Sequence, residues 1–471
     1  MPPDLKNFFI NGGRKYSMFN KLTKIVICCI LILLGVTTLS LQAQTMGPSL
    51  DVPKLNLGNT AWMIVATALV MLMTIPGLAF FYGGLVRRKN ILNILMQCFI
   101  LIAAITIEWM IFGYSNAFGS SEGWTKGIIG GFKWAFLNGI KVTDLSPYYV
   151  SMPNDRIPHL LFVLYQCMFA VITPALIIGA FAERIKFSGF LLFSLLWAVL
   201  VYNPVAHWIW SADGWLYKMG VLDFAGGIVV HINAGIAALV MAIMLGKRRY
   251  YENIPTPPHN IPFVVLGTGL LWFGWFGFNA GSGLAADGLA ANAFLVTHVA
   301  AATASLTWAI IDWLINKKPT TVGICTGAIA GLAAITPAAG FVDFKGALII
   351  SIISAVICYY MVGIVKIKLK YDDSLDAFGV HGVGGFVGSI MVGVLATPNV
   401  QSAYSGILQG NSHQLWVQIL AVSVIAVFSA VLTFVLFKIV DKTIGIRVVD
   451  DDESIGLDLS QHNEIAYTEA E

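Results

Sequence analysis

Long hydrophobic segments separated by short polar ones dominate the chain from about residue 60 onward. The segments reach about 20 residues, the length that an α-helix needs to cross the hydrocarbon core of a bilayer. We predict eleven membrane-spanning helices, near residues 60–85, 91–118, 159–182, 187–208, 226–246, 261–280, 290–315, 321–338, 346–365, 376–396 and 415–439. The predicted fold class is an all-α polytopic membrane protein.

The composition agrees with this class and excludes several others. Of the 471 residues, 57% are hydrophobic and only 11% are charged, a balance foreign to ordinary soluble domains. The net charge of +3 is small and the basic residues fall in short groups, so we predict no nucleic-acid surface. The six cysteines lack zinc-site spacing, and we expect no metal, cofactor or disulfide framework. No nucleophile-and-base pair is evident, so we predict no enzyme.

Basic residues between the predicted spans set the orientation in the membrane. If the spans alternate in direction, one side receives most of them: Arg87, Arg88, Lys89, Arg184, Lys186, Lys247, Arg248, Arg249, Lys317, Lys318, Lys366, Lys368, Lys370, Lys438, Lys442 and Arg447. The opposite side holds the loop 119–158, whose charges are fewer and mixed. We therefore predict a multi-pass protein of the cell inner (plasma) membrane, with the mature N-terminus outside and the C-terminus cytoplasmic.

The first 43 residues have the features of a targeting segment. Five basic residues precede an apolar run at 25–34, and Ala43 offers a small residue for cleavage, as in a secretory signal peptide. Leu41 is large for the third position before the cut, so an uncleaved extra helix is the alternative. The predicted organisation is a signal peptide at 1–43, a short extracytoplasmic N-terminus at 44–59, a transmembrane domain at 60–440 and a cytoplasmic tail at 441–471.

Two histidines lie within predicted spans, His231 in DFAGGIVVHINAGIAALV and His381 in DAFGVHGVGGFVGSIMVGV. An ionisable side chain at membrane depth is costly and normally faces the bundle interior, a cavity or a partner. The flanking glycines let neighbouring helices approach closely, so each imidazole is expected to project into a narrow space. The pattern predicts a transport pathway, against the alternative that the two histidines satisfy each other only for packing.

The first five spans and the next five resemble two copies of one unit, each ending in a glycine-rich helix that an aspartate precedes. Asp223 stands eight residues before His231, and Asp376 stands five residues before His381. Because each copy has an odd number of spans, the second is inserted upside down, the plan that places a substrate site at the repeat interface. The predicted architecture is an inverted 5+5 helix repeat plus a final helix, around a central hydrophobic pore.

Five motifs stand in a fixed order along the chain: TIPGLAFFYGGLVRRKN at 74–90, GAFAERIKFS at 179–188, DFAGGIVVHINAGIAALV at 223–240, GWFGFNAGS at 274–282 and DAFGVHGVGG at 376–385. They resemble the signatures of the ammonium transporter family, the Amt, Mep and Rh superfamily, and the bacterial Amt-type channels in particular. The resemblance runs from about Trp62 to the tail. It implies a transporter of ammonium or ammonia, assembled as a homotrimer with one pore in each subunit.

The resemblance also implies an outer site that recruits the cation. Phe169, Trp210 and Ser282 match the aromatic rings and the hydroxyl of that site, while Phe278 matches the second ring of a phenylalanine gate beneath it, with Phe169 as the first. A cation over an aromatic face gains about 0.5–2 kcal/mol, and a serine hydroxyl accepts a hydrogen bond from an ammonium N–H. Without the motifs, each aromatic ring is more often part of an interfacial belt or the core than of a binding site.

His231 and His381 match the family's paired pore histidines, which share a hydrogen bond along the lumen. Asp223 has two interpretations, because its carboxylate can bind the cation directly or can hold the vestibule through hydrogen bonds near the positive end of a helix. The resemblance favours the second interpretation, in which Asp223 is needed for transport without touching the substrate.

Magnitudes indicate why a gate and a histidine pair follow a cation site. An unpaired charge at the bilayer centre costs about 3–17 kcal/mol, whereas removing a proton from a lysine-like ammonium at neutral pH costs about 4–5 kcal/mol. Deprotonation therefore competes with carrying the bare ion, and neutral ammonia crosses the pore while the histidines line its path or relay the proton. Potassium has no proton to lose. The residues leave open whether transport is electrogenic.

The tail after Arg447 is acidic and polar, with DDDES at 450–454, which is typical of a flexible solvated segment. The resemblance implies instead an ordered cytoplasmic tail that packs under neighbouring subunits and helps a PII-type nitrogen regulator to dock. Two further functions stay open: a neutral gas channel for ammonia or carbon dioxide, against which Trp210 and Ser282 argue, and a sensor that binds ammonium and signals through the tail.

Overall fold

The computed structural model describes residues 53–249, 251 and 256–467, so the predicted signal peptide lies outside the described residues. Within them, ten helices are long and apolar enough to cross a membrane. They are α1 Leu57–Leu85, α2 Arg88–Phe118, α3 His159–Phe181, α4 Phe187–Lys218, α5 Gly227–Leu245, α6 Ile261–Gly281, α7 Gly288–Asn316, α9 Phe344–Leu369, α10 Phe378–Leu395 and α11 Ser412–Ile444. Helix α8, Thr321–Ile335, is apolar but has 15 residues. The all-α membrane fold is confirmed, while the count of eleven spans stays a prediction.

The remaining elements lie in the loops and the tail. Strand β1, Lys54–Leu55, pairs in parallel with β2, Asp155–Arg156. Single turns of 3₁₀-helix occupy Gly123–Thr125, Ala135–Leu137 and Ile407–Gln409. Two short helices, α12 Asp450–Ile455 and α13 Leu457–His462, form the tail.

Several spans change from α-helix to π-helix for about one turn. These turns are Met73–Leu78, Trp109–Gly113, Ala198–Tyr202, Gly227–Ile232, Met361–Val365 and Phe378–Gly382. The fourth contains His231 and the last contains His381. Because π-turns widen a helix locally and are frequent at functional sites, both histidines stand where the backbone departs from regular geometry.

Helices α5 and α10 cross at glycines, backbone against backbone. A Cβ atom on Gly235 of α5 would lie 2.2 Å from the Cα atom of Gly382, and one on Gly385 of α10 would lie 2.9 Å from the Cβ atom of His231. Each helix thus presents a glycine to the turn that carries the other helix's histidine. This reciprocity is what a pseudo-twofold axis between two inverted repeats requires.

The structure corrects one pairing of the repeat, because the counterpart of Asp223 is Asp373 and not Asp376. The Asp223 carboxylate accepts hydrogen bonds from the backbone N–H groups of Gly226, Gly227, Ile228 and Val229 at 2.6–3.0 Å. The Asp373 carboxylate accepts them from Ala377 and Phe378 at 3.1 and 2.8 Å. Both aspartates cap a helix start, and both stand eight residues before a histidine, so the apparent mismatch in spacing disappears.

A buried ion cluster joins the loops that follow α1, α3, α5 and α9. Glu183 pairs with Arg87 at 2.8 Å and with Arg248 at 3.2 Å, and Arg248 also pairs with Asp372 at 2.9 Å. Burial alone would raise the pKa of Glu183, but Arg248 and Arg87 outweigh it and hold that pKa below its ordinary value. These loops therefore share one face, here called the basic face, and the loops 119–158, 282–287 and 397–411 lie on the opposite face, which is called the outer face after the predicted orientation.

The tail folds onto the basic face. Glu453 pairs with Arg447 at 2.9 Å and accepts the backbone N–H of Arg249 at 2.6 Å. Asp458 accepts the backbone N–H of Asn93 at 2.8 Å, and Asn90 accepts that of Leu457 at the same distance. The expectation of a flexible, solvated segment is wrong for the described part of the tail, because its carboxylates are used as hydrogen-bond acceptors at the loops of its own chain.

We predict that Glu183→Gln lowers stability and removes part of its acid sensitivity. Since the folded-state pKa of Glu183 lies below its ordinary 4.5, the stabilisation is present above pH 4.5 and is lost as pH falls through the folded-state value. Breaking a buried pair of this kind costs about 3–5 kcal/mol. Thermal unfolding of the purified protein from about pH 7 to about pH 3 measures both effects. The exposed Glu122→Gln is the matched control, and an equal loss in both variants would contradict the prediction.

Candidate functional site

Three helices bring the predicted outer-site residues together. Phe169 comes from α3, Trp210 from α4, and Phe278 and Ser282 from the outer end of α6. The ring centroids of Phe169 and Trp210 are 5.7 Å apart at an angle of 88°, and those of Phe169 and Phe278 are 4.3 Å apart at 33°. Trp210 and Ser282 are half-buried, whereas Phe169 and Phe278 are 1% and 0% exposed. Two half-buried side chains, Trp210 and Ser282, thus adjoin two sealed phenyl rings, and this group of four residues is here called the cup.

Tyr165 organises this cup, although its sequence context gave no signal for it. Its hydroxyl donates to the carbonyl oxygens of Gly277 and Phe278 at 3.0 and 2.9 Å and lies 3.2 Å from the Ser282 hydroxyl oxygen. The Ser282 hydroxyl itself donates to the Phe278 carbonyl at 2.8 Å. Because its proton is used in that bond, the Ser282 oxygen is oriented as an acceptor.

Asp223 and Trp210 fix each other at the rim of the cup. The Trp210 indole N–H donates to the Asp223 backbone carbonyl at 2.9 Å, while the carboxylate is used entirely by the four backbone N–H groups at the start of α5. Burial raises the pKa of Asp223, and the amide bonds oppose that rise. A cation that bound this carboxylate directly would have to displace one of those amides.

The two histidines continue the column of rings inward. The His231 ring centroid lies 6.1 Å from that of Phe278 and 5.3 Å from that of His381, with the two imidazole planes 15° apart. Trp275, which sequence reasoning did not single out, also stacks on His231, with ring centroids 5.4 Å apart. Both ring nitrogens of His231 and Nδ1 of His381 are buried without a hydrogen-bond partner among the described residues. The column Trp210, Phe169, Phe278, His231 and His381 is therefore continuous.

A cavity of about 180 Å³ lies beyond His381, toward the basic face. Its lining includes His381, Tyr82, Thr326 and Asp376. Among the described residues there is no group of three or more histidine, cysteine, aspartate or glutamate side chains that could hold a metal ion. The polar groups along the pathway are thus ring nitrogens, hydroxyls and one carboxylate.

Comparison with known proteins gives a consistent result. A sequence model of the Ammonium Transporter Family matches residues 61–467. The chain is 49% identical to the ammonium transporter Amt1 of Archaeoglobus fulgidus, over 87% of this chain and 99% of that one. The crystal structure of Saccharomyces cerevisiae Mep2 superposes with a TM-score of 0.76 and 36% identity, covering 84% and 88% of the two chains. A structure titled Sensor Amt Protein superposes with a TM-score of 0.77 and 30% identity, covering 86% and 98%.

We predict that Gly235→Ala destabilises the protein because the crossing of α5 and α10 has no room for a methyl group. Overpacking of this kind costs about 1–3 kcal/mol. Gly269→Ala in α6 is the matched control, since a Cβ atom there meets nothing within 4 Å, and alanine is favoured over glycine in a helix by about 1 kcal/mol. The thermal unfolding midpoint should fall for Gly235→Ala and should stay the same or rise for Gly269→Ala. A fall of equal size in both would show that the crossing is not tight.

Proposed function

The chain belongs to the ammonium transporter family, and we propose that it carries ammonium across the membrane by recruiting the ion, removing its proton and conducting ammonia. The observation that carries the proposal is the continuous column of rings from Trp210 to His381, with a cup at its outer end and a cavity at its inner end. It is the arrangement expected of a path for a small molecule that loses its charge on the way.

Recruitment takes place at the outer cup. The half-buried indole of Trp210 offers a π face, and the Ser282 oxygen accepts an ammonium N–H. An ion at such a face gains about 0.5–2 kcal/mol, more as it loses water. Asp223 supports this site by holding the Trp210 indole and the start of α5, and it does not bind the ion itself.

Deprotonation takes place where the column becomes sealed. Beyond Trp210 and Ser282, the ion meets the Phe169 and Phe278 rings, which are nearly inaccessible to solvent. Transferring the proton to water at the half-exposed cup costs about as much as, or less than, moving the charge past the rings, so deprotonation competes with passage of the bare ion. Potassium cannot take this route, so selectivity follows from proton chemistry and not from size.

The histidine pair conducts the neutral molecule. Ammonia has three N–H donors and one lone pair, and a neutral imidazole has one N–H donor and one acceptor nitrogen. The unpartnered nitrogens of His231 and His381 can therefore both donate hydrogen bonds to ammonia and accept them from it. The hydrogen bond expected between the two imidazoles is absent from the structure, because the rings stack nearly parallel at 5.3 Å and neither nitrogen of His231 has a partner among the described residues. Neutral imidazoles leave the middle of the pore uncharged.

The family context also supports an orientation and an assembly. The basic face is proposed to be cytoplasmic in the inner membrane, since basic loops stay on that side, and it offers the surface on which a PII-type regulator docks. A contact between copies, as in the homotrimer that the family resemblance implies, is supported by His298 of α7, which is exposed about 15 Å from the outer end of its helix. An ionisable group at that depth avoids lipid, so a second copy of the chain covers it.

Transient currents from proteoliposomes test the transport proposal. An inward ammonium jump should give a saturable current and an equal potassium jump should give none, if the proton crosses with ammonia. Variants His231→Ala and His381→Ala should lose the current or leak potassium, because the pore then lacks its polar lining. The exposed His413→Ala is the matched control.

The alternatives give different results in the same vesicles. Absent current with preserved ammonia-driven alkalinisation of the interior would favour a neutral gas channel. Absence of both signals in folded protein would favour a sensor, a function supported by the similarity to the structure titled Sensor Amt Protein, and truncation after residue 444 should then abolish its output while ligand binding persists.

We predict that His298→Arg weakens the assembly. A permanent charge at this depth is harder to cover than a neutral imidazole, and His298 packs beside Trp272 at 5.3 Å, so it adjoins an apolar surface. Native mass spectrometry of the purified protein should show trimers for the wild type and smaller species for the variant. His413 is an exposed histidine at the outer end of α11, and His413→Arg is the control. Trimers in both variants would show that His298 of α7 does not lie in the interface.

A further inference from the structure

An ion pair stands at the basic-face mouth of the pathway. The Lys366 ammonium group of α9 donates to Oδ1 of Asp376 and lies 3.4 Å from the Asp373 carbonyl oxygen. The side chains of Lys366 and Asp376 are 18% and 25% exposed. The second carboxylate oxygen of Asp376 receives no hydrogen bond from any residue that the structure describes. One half of this carboxylate therefore holds an ammonium group, and the other half is available.

Asp376 lines a cavity that His381 also lines. The volume of this cavity is about 180 Å³, and His381 is 3% exposed with Nδ1 unpartnered. A water molecule occupies about 30 Å³ in the liquid, so the cavity accommodates a small cation together with water. The Thr326 hydroxyl lies in the same lining and adds an acceptor.

The inverted repeat shows what distinguishes this mouth from the outer one. Counted back from the histidines, Asp376 occupies the position of Gly226, and both residues have left-handed backbones, with φ of 61° and 109°. A Cβ atom on Gly226 would lie 3.4 Å from the Trp210 ring. At equivalent places, the outer mouth therefore has an aromatic face and the inner mouth has a carboxylate.

The charges around this carboxylate do not cancel. Asp373 and Asp376 face one lysine, Lys366, and the phenols of Tyr82 and Tyr371 are close to the two carboxylates. Arg184 donates to Ser374 of the cavity lining at 2.6 Å, and its charge is paired with Asp372. Burial, and then the charge of Asp376, raises the pKa of Asp373, whose oxygens are already used by backbone amides. The negative charge that a cation can reach is thus concentrated on Asp376.

We propose that this cavity is a second cation site, in which the Asp376 carboxylate binds ammonium on the basic-face side of the histidines. The Lys366 side chain, itself a primary ammonium group, is a tethered competitor that shares the same carboxylate. The proposal rests on the proposed transport function for its substrate. It makes the two mouths chemically different: aromatic recruitment outside, and charge pairing in competition with a lysine inside.

The test compares half-saturation from the two sides with radiolabelled methylammonium in right-side-out membrane vesicles. Asp376→Asn should raise the half-saturation concentration for efflux by about tenfold or more, the value of one lost charged hydrogen bond, and should leave that for influx unchanged. Asparagine tolerates the left-handed backbone at this position, so the fold is retained. Lys366→Met should lower the half-saturation concentration for efflux, because the competing ammonium group is removed. Asp376→Glu should keep that concentration closer to the wild-type value than Asp376→Asn does.

Trp210→Leu is the mirror variant, since it should raise the half-saturation concentration for influx alone. Equal changes in both directions for Asp376→Asn would overturn the inner site. A second measurement does not depend on flux: the infrared difference spectrum of purified protein in ammonium minus potassium should contain a carboxylate band that Asp376→Asn removes. If that band appears while the wild type moves no methylammonium, the transport proposal fails and the inner site stands. If flux is normal and the band persists in Asp376→Asn, the inner site fails and the transport proposal stands.

Discussion

The backbone contact between α5 and α10 is the constraint on which the rest of the pathway depends. Glycine at 235 and at 385 lets the two helices approach until each touches the turn that carries the other's histidine, so the imidazoles stack at 5.3 Å. A methyl group at either glycine would separate the helices. The capping carboxylates of Asp223 and Asp373 then fix where each helix begins, and with it the depth of each histidine.

Hydrophobic length predicted an all-α membrane fold, and local motifs selected histidines and rings that the structure brings into one column, because both signals lie in consecutive residues. The sequence did not predict Tyr165, whose hydroxyl reaches from α3 to α6, since contacts between helices leave no periodic trace. It also selected Asp376 as the partner of Asp223, because the DAFG motif drew attention to it, whereas capping geometry selects Asp373. The acidic composition of the tail gave no sign that Asn90 and Asn93 supply its hydrogen-bond partners.

Inverted repeats give the pathway two mouths of similar backbone and different side chains. The capping aspartates are equivalent, but the position five residues before each histidine holds Gly226 outside and Asp376 inside. A passive pore gains no direction from such asymmetry, because net flux follows the gradients on the two sides. Different side chains at the mouths instead set the concentrations at which each face saturates, which is a property of binding and not of the driving force.

Electrostatics explains why the charged groups stop at the mouths. Among the residues that line the ring column and the inner cavity, Asp376 is the one whose side chain is an acid, and between Trp210 and His381 the lining is phenyl, indole and imidazole. A carboxylate beside the histidines would hold the ammonium ion in the middle of the membrane, since an opposite charge within a few ångströms stabilises the ionised form. An uncharged middle instead favours the neutral molecule, which leaves as readily as it arrives. The groups that attract the cation therefore lie at the two ends of the pathway, and the side chains between them are uncharged.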